Sequence, residues 1–230
     1  VAEKKTLLID CDPQGNASSG LGIEKALIRT KNLYRALTGQ MPLKEVILDT
    51  LLRNLHIIPS NQDLIGVELE FVSIPEREKQ LRKLLAGEDA VLDYEYLILD
   101  CPPSLGLLTI NSLVAADSLI IPLQCEYFAM EGLGYLLNTV RLVKARLNPD
   151  LYLSGILLTM FDSRNRLAHL VAQDIRRHFG GKVFNTIIQR NVRLSESPSH
   201  GLPILLYDVK SRGAVCYFEF AKEILSNGRS

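Results

Sequence analysis

The sequence predicts an α/β fold built on a mostly parallel sheet, formed by a single domain over residues 1–230. Short apolar runs alternate along the chain with longer helical patterns, which is typical of βαβ units. Hydrophobic residues make up 47% of the chain, which is enough for a large core. The sequence contains neither a low-complexity linker nor an internal repeat, so one domain is the simplest interpretation.

These patterns predict seven strands and six helices. The strands are predicted over residues 6–11, 55–59, 96–101, 118–123, 151–158, 183–188 and 204–206. The helices are predicted over residues 32–38, 76–85, 107–115, 131–146, 167–179 and 213–226. Two pairs of helix-breaking residues, Asn148-Pro149 and Gly180-Gly181, close two of these helices.

The composition limits the classes of partner and favours a reducing compartment. Lys and Arg total 26, as do Asp and Glu, so any nucleic-acid-binding surface has to be a local basic patch. We find neither an apolar run of membrane-spanning length nor a signal peptide, and therefore expect a cytoplasmic protein that does not bind membranes. The four cysteines, Cys11, Cys101, Cys125 and Cys216, show no C-x-x-C spacing, which favours buried free thiols.

Two carboxylates, Asp10 and Asp12, follow the first predicted strand, and Pro13 and Gly15 then turn the chain. Buried parallel strands bring such groups to the carboxyl edge of a sheet, where open α/β folds bind ligands. Because the two residues occupy alternate positions, both side chains can point the same way. At a phosphate site one acid can support Mg²⁺ while the other orients the attacking water. The alternative is that both residues cap a turn.

Asp100 ends a second apolar strand, and residues 102–104, Pro-Pro-Ser, cannot continue that strand. An Asp after four apolar residues is the Walker B pattern, in which the carboxylate holds Mg²⁺, usually through water. The same pattern is also common by chance. Residues 15–22 are small and polar, which suits a loop close to phosphate or to a facing subunit, or else an ordinary flexible loop.

Cations gather in the predicted loops and helix starts of the C-terminal part of the chain. The candidates for contacts with DNA phosphates are Arg164, Arg190, Arg193, Lys210 and Arg212. Contacts of this kind bind DNA without reading its bases, although a solvated surface contains the same residues. The four histidines are scattered and lack metal-ligand spacing, so Mg²⁺ is the metal that we expect.

The printed sequence contains only part of a nucleotide site. It has no G-x-x-x-x-G-K-[ST] loop, and its single Gly-Lys pair, Gly181-Lys182, is followed by Val183. Val1 lies directly ahead of a strand, where a natural start is rare, which leads us to expect a fragment of a longer chain.

Four long stretches resemble one family. They are LLIDCDPQGNASSGLGI from residue 7, YLILDCPPSLGLLTIN from residue 96, IIPLQCEYFAMEGL from residue 120 and RNVRLSESPSHGLPILLYD from residue 190. In this order they are similar to the ParA/Soj chromosome-partitioning ATPases, which belong to the deviant-Walker branch of P-loop NTPases. The resemblance extends from Thr6 to the C-terminus, and motifs of this length are specific.

The resemblance implies a doubly wound α/β fold of the P-loop NTPase type. It also implies that Asp12 positions the hydrolytic water, that Asp10 assists at Mg²⁺ and that Asp100 is the Walker B ligand of Mg²⁺. We therefore expect ATP and Mg²⁺ as the cofactors.

The resemblance further implies where the rest of the nucleotide and the partners bind. Thr159, Asp162, Arg190 and Asn191 are expected near the adenine or the dimer interface. The family forms a homodimer with ATP, binds the DNA of the nucleoid non-specifically and hydrolyses ATP with a ParB-like centromere-binding protein.

Two features depart from the family pattern. Gln189 stands where we expect Pro before Arg-Asn, so the local loop can differ. The Walker A loop, K-G-G-x-G-K-T-T or a close variant, is expected upstream of Val1 in a missing unit of roughly 25–30 residues. Without that phosphate cradle we expect this chain alone not to hydrolyse ATP. The missing strand would also leave two open sheet edges beside the Walker B strand.

Three other interpretations stay open. A non-catalytic interaction protein can keep the fold, although it has no need of the three Asp residues. A MinD-like membrane-associated ATPase needs a basic amphipathic tail, whereas residues 221–228 are short and mixed in charge. A relative of the nitrogenase iron protein needs two cluster cysteines, and Cys101 lies too close to Asp100 to be one of them.

Overall fold

The computed structural model describes residues 3–87 and 89–227. The strands are β1 (Thr6–Asp10), β2 (Leu48–Asp49), β3 (Leu55–Ile58), β4 (Tyr96–Asp100), β5 (Ser118–Gln124), β6 (Tyr152–Phe161) and β7 (Val183–Gln189). The α-helices are α1 (Asn16–Gly20), α2 (Lys25–Thr30), α3 (Leu33–Leu37), α4 (Leu43–Val46), α5 (Gly66–Glu70), α6 (Gln80–Ala86), α7 (Leu107–Ala115), α8 (Ala129–Arg146), α9 (Arg166–Phe179), α10 (Val192–Glu196), α11 (Ile204–Tyr207) and α12 (Arg212–Asn227). Turns of 3-10 helix lie at Gln62–Ile65, Phe71–Ser73, Arg77–Lys79, Asp89–Val91, Gly180–Lys182 and Ser197–His200.

The strands form two sheets. The first has the order β2-β3-β1-β4, and β1 runs parallel to both β3 and β4. The two-residue strand β2 pairs with β3 in the antiparallel direction. The second sheet has the order β5-β6-β7 and is parallel throughout the described pairs. The predicted α/β class with mostly parallel strands is therefore confirmed.

Each sheet packs against helices through its own apolar cluster. In the first cluster Leu7 and Ile9 of β1 are fully buried against residues of α3, α4, α6 and α7. The second sheet is covered on both faces, because Ile156 and Leu158 pack with α8 and α9 while Leu157 packs with α12. Consecutive strand residues point to opposite faces, so the unbroken apolar run of β6 belongs to a strand buried on both sides.

Asn148 connects the segment between α8 and β6 to the end of α7. Its buried side-chain amide donates to the carbonyls of Leu113 (3.0 Å), Val114 (3.2 Å) and Ala116 (2.8 Å) at the end of α7. The last carbonyls of a helix lack intrahelical donors. A residue that the sequence marks only as a helix breaker therefore also caps a helix distant in the chain.

Two local predictions are wrong. Residues 204–206, predicted as a strand, belong to α11, which starts after Pro203 with amides of its last turn donating to the Pro203 carbonyl. Proline favours helix starts because its φ is fixed near helical values. Residues 15–22, predicted as a loop, contain α1, which follows Gly15. Both helices are about one turn long, which is too short for a periodic pattern.

β4 is an open edge of the first sheet, and β5 is an edge of the second. Tyr96, Leu97 and Ile98 of β4 are 38%, 38% and 51% exposed, although they form a continuous apolar run. Such a run is typical of a strand covered on both faces. Among the described strands, β4 is therefore an edge strand that leaves apolar side chains exposed.

Within residues 3–87 and 89–227, no helix combines the length and the apolar character needed to cross a membrane. The single-domain organisation stays a prediction.

Candidate functional site

β1 and β4 bring two of the predicted acidic residues together. The strands pair in parallel from Thr6 beside Tyr96 to Asp10 beside Asp100. The pairing continues past the strand ends, because the Cys11 amide donates to the Asp100 carbonyl (2.8 Å). Asp10 and Asp100 therefore lie at the carboxyl edge of the first sheet, which is the ligand-binding edge of open α/β folds.

Asp10 is fully buried and holds the turn after β1. Its Oδ2 accepts hydrogen bonds from the Ser18 hydroxyl (2.6 Å) and amide (2.9 Å), and its Oδ1 accepts from the Asp12 amide (3.2 Å). The Ser18 hydroxyl accepts in turn from the Ser60 amide (3.0 Å), which joins the turn to the end of β3. Burial raises the pKa of Asp10, and the hydrogen bonds from Ser18 and Asp12 partly offset that rise.

Asp12 begins the turn that leads into α1. Its Oδ1 accepts from the Gln14 amide (2.9 Å), and its carbonyl accepts from the Gly15 amide (2.9 Å). Gly15 has a φ of 62°, and a Cβ there would lie 2.7 Å from the Ser60 carbonyl oxygen, so glycine is required. The Asp12 Oδ2 accepts no hydrogen bond from the described part of the chain and is available to a water or a ligand.

The Asp100 carboxylate receives no hydrogen bond from the residues that the structure describes, and it has an exposed side at the open edge of β4. Burial by the surrounding protein, followed by repulsion from Asp10 and Asp12, raises its pKa from 3.8 to about 6. A carboxylate crowded by two others gains from a nearby cation, because the cation relieves the repulsion.

The cluster fits Mg²⁺ as a partial site. Within the described ranges, no group of three or more His, Cys, Asp or Glu side chains is arranged to hold a metal alone. Mg²⁺ usually keeps several waters and binds one or two carboxylates together with substrate phosphates. Asp100 suits that role. Asp10 is less available as a ligand, because both of its oxygens already accept hydrogen bonds.

The other predicted nucleotide-binding residues lie at the carboxyl edge of the second sheet. Thr159, near the end of β6, pairs with Gln124 at the end of β5. Asp162 and Arg190 follow β6 and β7, and the Arg190 amide donates to the Phe161 carbonyl (3.0 Å). The structure therefore brings these three predicted residues to one edge, but their role stays a prediction.

Asn191, the fourth predicted nucleotide-binding residue, acts as the N-cap of α10. Its Oδ1 accepts from the Arg193 amide (2.9 Å), which satisfies one of the free donors at the helix start. This contact gives Asn191 a structural role in the chain as described, beside any contact with nucleotide.

We call Arg164, Arg190, Arg193, Lys210 and Arg212 the basic patch. All five side chains are at least partly exposed, but two of them are ion-paired. Arg164 donates to both oxygens of Asp162 (3.0 and 2.9 Å) and, through these bonds, lowers the pKa of Asp162 to about 2.

The second ion-paired member of the basic patch is Arg193. It contacts Glu196 (2.9 Å) and Asp208 (3.6 Å). The ion pairs within the described ranges include neither Arg190 nor Lys210 nor Arg212. The cationic field of the patch therefore comes mainly from these three residues.

Sequence reasoning missed Ser18 and the aromatic pair Tyr127 and Phe128. Ser18 lies in the small polar stretch, but no local rule connects it to Asp10. Tyr127 and Phe128 are 74% and 71% exposed and pack edge to face at 5.0 Å. They border a cavity of about 350 Å³ at the end of β5, lined by Leu123, Gln124, Glu126, Tyr127, Phe128, Ala129, Gly132 and Leu133. Two adjacent aromatics after a predicted strand were the available signal.

A parallel α/β fold with acidic residues at its carboxyl edge is an architecture that nucleotide-binding domains share with other α/β ligand-binding proteins. A profile of the AAA_31 family, described as an AAA domain, matches residues 1–153.

The chain belongs to the ParA/Soj family of chromosome-partitioning ATPases. It is 53% identical over 224 residues to the chromosome partitioning protein ParA of Myxococcus xanthus, covering 97% of this chain and 78% of that protein. It is 52% identical over 225 residues to the sporulation initiation inhibitor protein Soj of Bacillus subtilis, covering 98% of this chain and 88% of that protein. The family inferred from the sequence motifs is thus confirmed.

A solved structure from Mycobacterium smegmatis has the same fold. That protein is described as cobyrinic acid a,c-diamide synthase with a bound ATP analog and magnesium. It is 34% identical to this chain and has a TM-score of 0.83, covering 99% of this chain and 84% of that one.

Proposed function

We propose that this protein binds ATP with Mg²⁺, dimerises in the ATP-bound state and then binds DNA without regard to sequence. Its partner in hydrolysis is a ParB-type centromere-binding protein, and its location is the cytoplasm at the nucleoid. The observation that supports this most strongly is the 53% identity, over 97% of the chain, to a chromosome partitioning protein. The meeting of Asp10 and Asp100 at one sheet edge supports phosphate chemistry at that place.

The three carboxylates have different roles in this proposal. Asp12 orients the attacking water, because its Oδ2 is free of protein donors in the described chain. Asp100 holds Mg²⁺, because its carboxylate has no donor among the described residues and is crowded by negative charge. Asp10 fixes the turn through Ser18, and so positions Asp12. When bound, Mg²⁺ neutralises charge on the phosphate oxygens.

The second sheet supplies the remaining contacts. Thr159, Asp162, Arg190 and Asn191 contact the adenine or the second subunit, and the position of the first three at the carboxyl edge supports this assignment. Arg190, Lys210 and Arg212 supply most of the attraction for DNA phosphates, since they are accessible and outside the described ion pairs.

Hydrolysis also needs a phosphate-binding loop, and the printed sequence contains none. Backbone amides and lysines of a Walker A loop cradle the β- and γ-phosphates, so ATP bound without them lacks most of its contacts. We propose that the 230 residues alone hydrolyse no ATP, and that activity requires a chain in which a Walker A unit precedes residue 1.

The experiment compares Asp12→Ala with the unchanged protein in such a Walker A-containing chain. We expect Asp12→Ala to abolish hydrolysis while ATP binding and dimerisation persist, because the side chain orients water rather than holding nucleotide. Asp150→Ala, a change at an exposed residue before β6, is the matched control and should hydrolyse normally. If Asp12→Ala hydrolyses ATP at the rate of the unchanged protein, Asp12 does not orient the attacking water. If the unchanged Walker A-containing protein binds no ATP, the alternative function of a non-catalytic interaction protein is favoured.

A further inference from the structure

Cys11 and Cys101 directly follow β1 and β4, and the sheet places them side by side. The register reaches Asp10 beside Asp100, and the Cys11 amide extends it by donating to the Asp100 carbonyl (2.8 Å). Neighbouring strands lie about 4.8 Å apart. Disulfides join residues whose Cα atoms are about 4.4–6.8 Å apart. The backbone spacing at this point therefore suits a disulfide.

The two thiols also have the same orientation. The Cys11 Sγ donates to the Ile9 carbonyl (3.7 Å), and the Cys101 Sγ donates to the Leu99 carbonyl (3.6 Å). Ile9 and Leu99 are themselves paired across β1 and β4. Side chains at paired positions of two parallel strands leave the sheet on the same face, so the two sulfur atoms are neighbours.

The remaining cysteines have no comparable neighbour among the described residues. Cys125 is buried in the apolar cluster of the second sheet with α8 and α9. Cys216 is buried on the opposite face of that sheet, on α12. Prolines follow the pair closely, at Pro13 and Pro102, and stiffen the turns that hold the two thiols. The fold therefore selects one pair of the four cysteines.

We propose that Cys11 and Cys101 form a reversible disulfide and are a redox modification site of this protein. The oxidant is a small-molecule disulfide such as oxidised glutathione, which reaches the exposed Cys101 before the buried Cys11. The Cys101 sulfur attacks it, forms a mixed disulfide and releases one glutathione. The Cys11 sulfur then attacks the Cys101 sulfur and releases the second glutathione. The two thiol protons end on the two glutathione molecules, so the protein is oxidised and one glutathione disulfide is reduced.

The disulfide would link the two strand ends that hold the carboxylate cluster. Its formation goes beyond the proposed function, because it depends on the sheet register and not on ATP, DNA or a partner protein. The two ideas are therefore tested separately, and one can fail without the other.

The test equilibrates the 230-residue chain in glutathione buffers of increasing oxidised fraction, at a protein concentration at which light scattering detects no aggregate and circular dichroism shows a folded chain. Free thiols are then blocked by alkylation, and linked peptides are mapped by mass spectrometry without reduction. We expect one linked pair, Cys11 with Cys101, with Cys125 and Cys216 recovered as free thiols. The equilibrium is measured rather than a rate, because buried thiols exchange slowly.

A parallel sample in urea supplies the control for folding. In an unfolded chain the shortest loop closes most readily, so Cys101 should pair with Cys125 instead. Cys101→Ser should abolish the native link, whereas Cys216→Ser should leave it unchanged. Three results overturn the proposal: free Cys11 and Cys101 in the native sample, a stable glutathione adduct on Cys101, or the same pairing in native and urea samples.

Discussion

The Asp100 carboxyl makes the stability of the protein depend on pH. Its pKa rises from 3.8 to about 6 in the folded chain, mainly through burial and then through Asp10 and Asp12. Between these values the folded chain keeps a proton that the unfolded chain has released, so stability falls as the pH rises from about 4 to about 6. Above about pH 6 the ionised Asp100 carboxylate destabilises the fold in full, and below about pH 4 this destabilisation is absent.

Asp100→Asn should therefore raise the free energy of unfolding at pH 7. Because Asp100 has an exposed side, solvent screening reduces the effect, and we expect a gain of about 1 kcal/mol. The measurement is urea-induced unfolding at neutral pH and again below about pH 4, where the gain should vanish. Asp150→Asn, an exposed change before β6, should have no effect at either pH. An equal gain at both pH values would mean that the charge of Asp100 is not its cause.

The buried Asn148 side chain joins the segment after α8 to the end of α7. Asn148→Ala removes the two N–H donors that three carbonyls at the end of α7 share, and leaves these carbonyls without that partner. We expect the free energy of unfolding to fall by about 2–3 kcal/mol. Asn138→Ala, on the solvent side of α8, is the control and should change stability little. A similar decrease for both variants in urea unfolding would contradict the capping role.

Among the elements, strands and long helices could be predicted from sequence, whereas of the one-turn helices α3 was predicted and α1 and α11 were not. β1 and β4 end within one residue of their predicted limits, because both are continuous apolar runs of the kind found in parallel strands, although β4 is largely exposed here. α7 has its predicted limits, residues 107–115. α1 and α11 depend instead on contacts made elsewhere, such as Ser18 with Asp10. Local periodicity contains no information on such contacts.

Among the elements, the open edge strand β4 is the one that favours aggregation of this chain. Exposed apolar side chains and unpaired backbone groups on an edge strand favour pairing with a second chain. We expect the 230-residue chain to aggregate, and Ile98→Lys to reduce that aggregation, because a charged edge residue blocks strand addition. Val192→Lys changes an apolar residue on α10 that is even more exposed (71% against 51% for Ile98) and is the control. Light scattering during concentration checks this, and an equal improvement by both variants would exclude edge pairing as the cause.

On the scale of the whole molecule, the sequence located the acidic cluster, but it did not show which residues of the basic patch are ion-paired. Asp10 and Asp100 could be placed together because parallel strands end at the same edge of a sheet. The ion pair between Arg193 and Asp208 could not be predicted from the sequence, because it requires the packing of α10 against α11. Formal charge alone therefore gave five equivalent cations, whereas the structure separates two ion-paired residues from three others.

This separation predicts how DNA binding depends on salt. In the ATP-bound dimer of a Walker A-containing chain, Lys210→Ala or Arg212→Ala should weaken binding to all duplexes alike. Each should also flatten the log–log salt dependence by about 1 for every phosphate that a subunit no longer neutralises. Arg193→Ala should change the slope less, because the Arg193 charge is already partly neutralised by Glu196 and Asp208.

The measurement of this salt dependence is a titration of binding to two unrelated duplexes, with the three variants compared with the unchanged protein. Arg82→Ala, an exposed change on α6 outside the basic patch, is the matched control and should keep the original slope. ATP hydrolysis without DNA should stay unchanged for Lys210→Ala and Arg212→Ala, since neither residue is assigned to the nucleotide. If both keep the original slope, the DNA surface lies elsewhere. If Arg193→Ala flattens the slope most, DNA phosphates displace Glu196 and Asp208, and the ion pairs of the free chain do not predict the contacts of the complex.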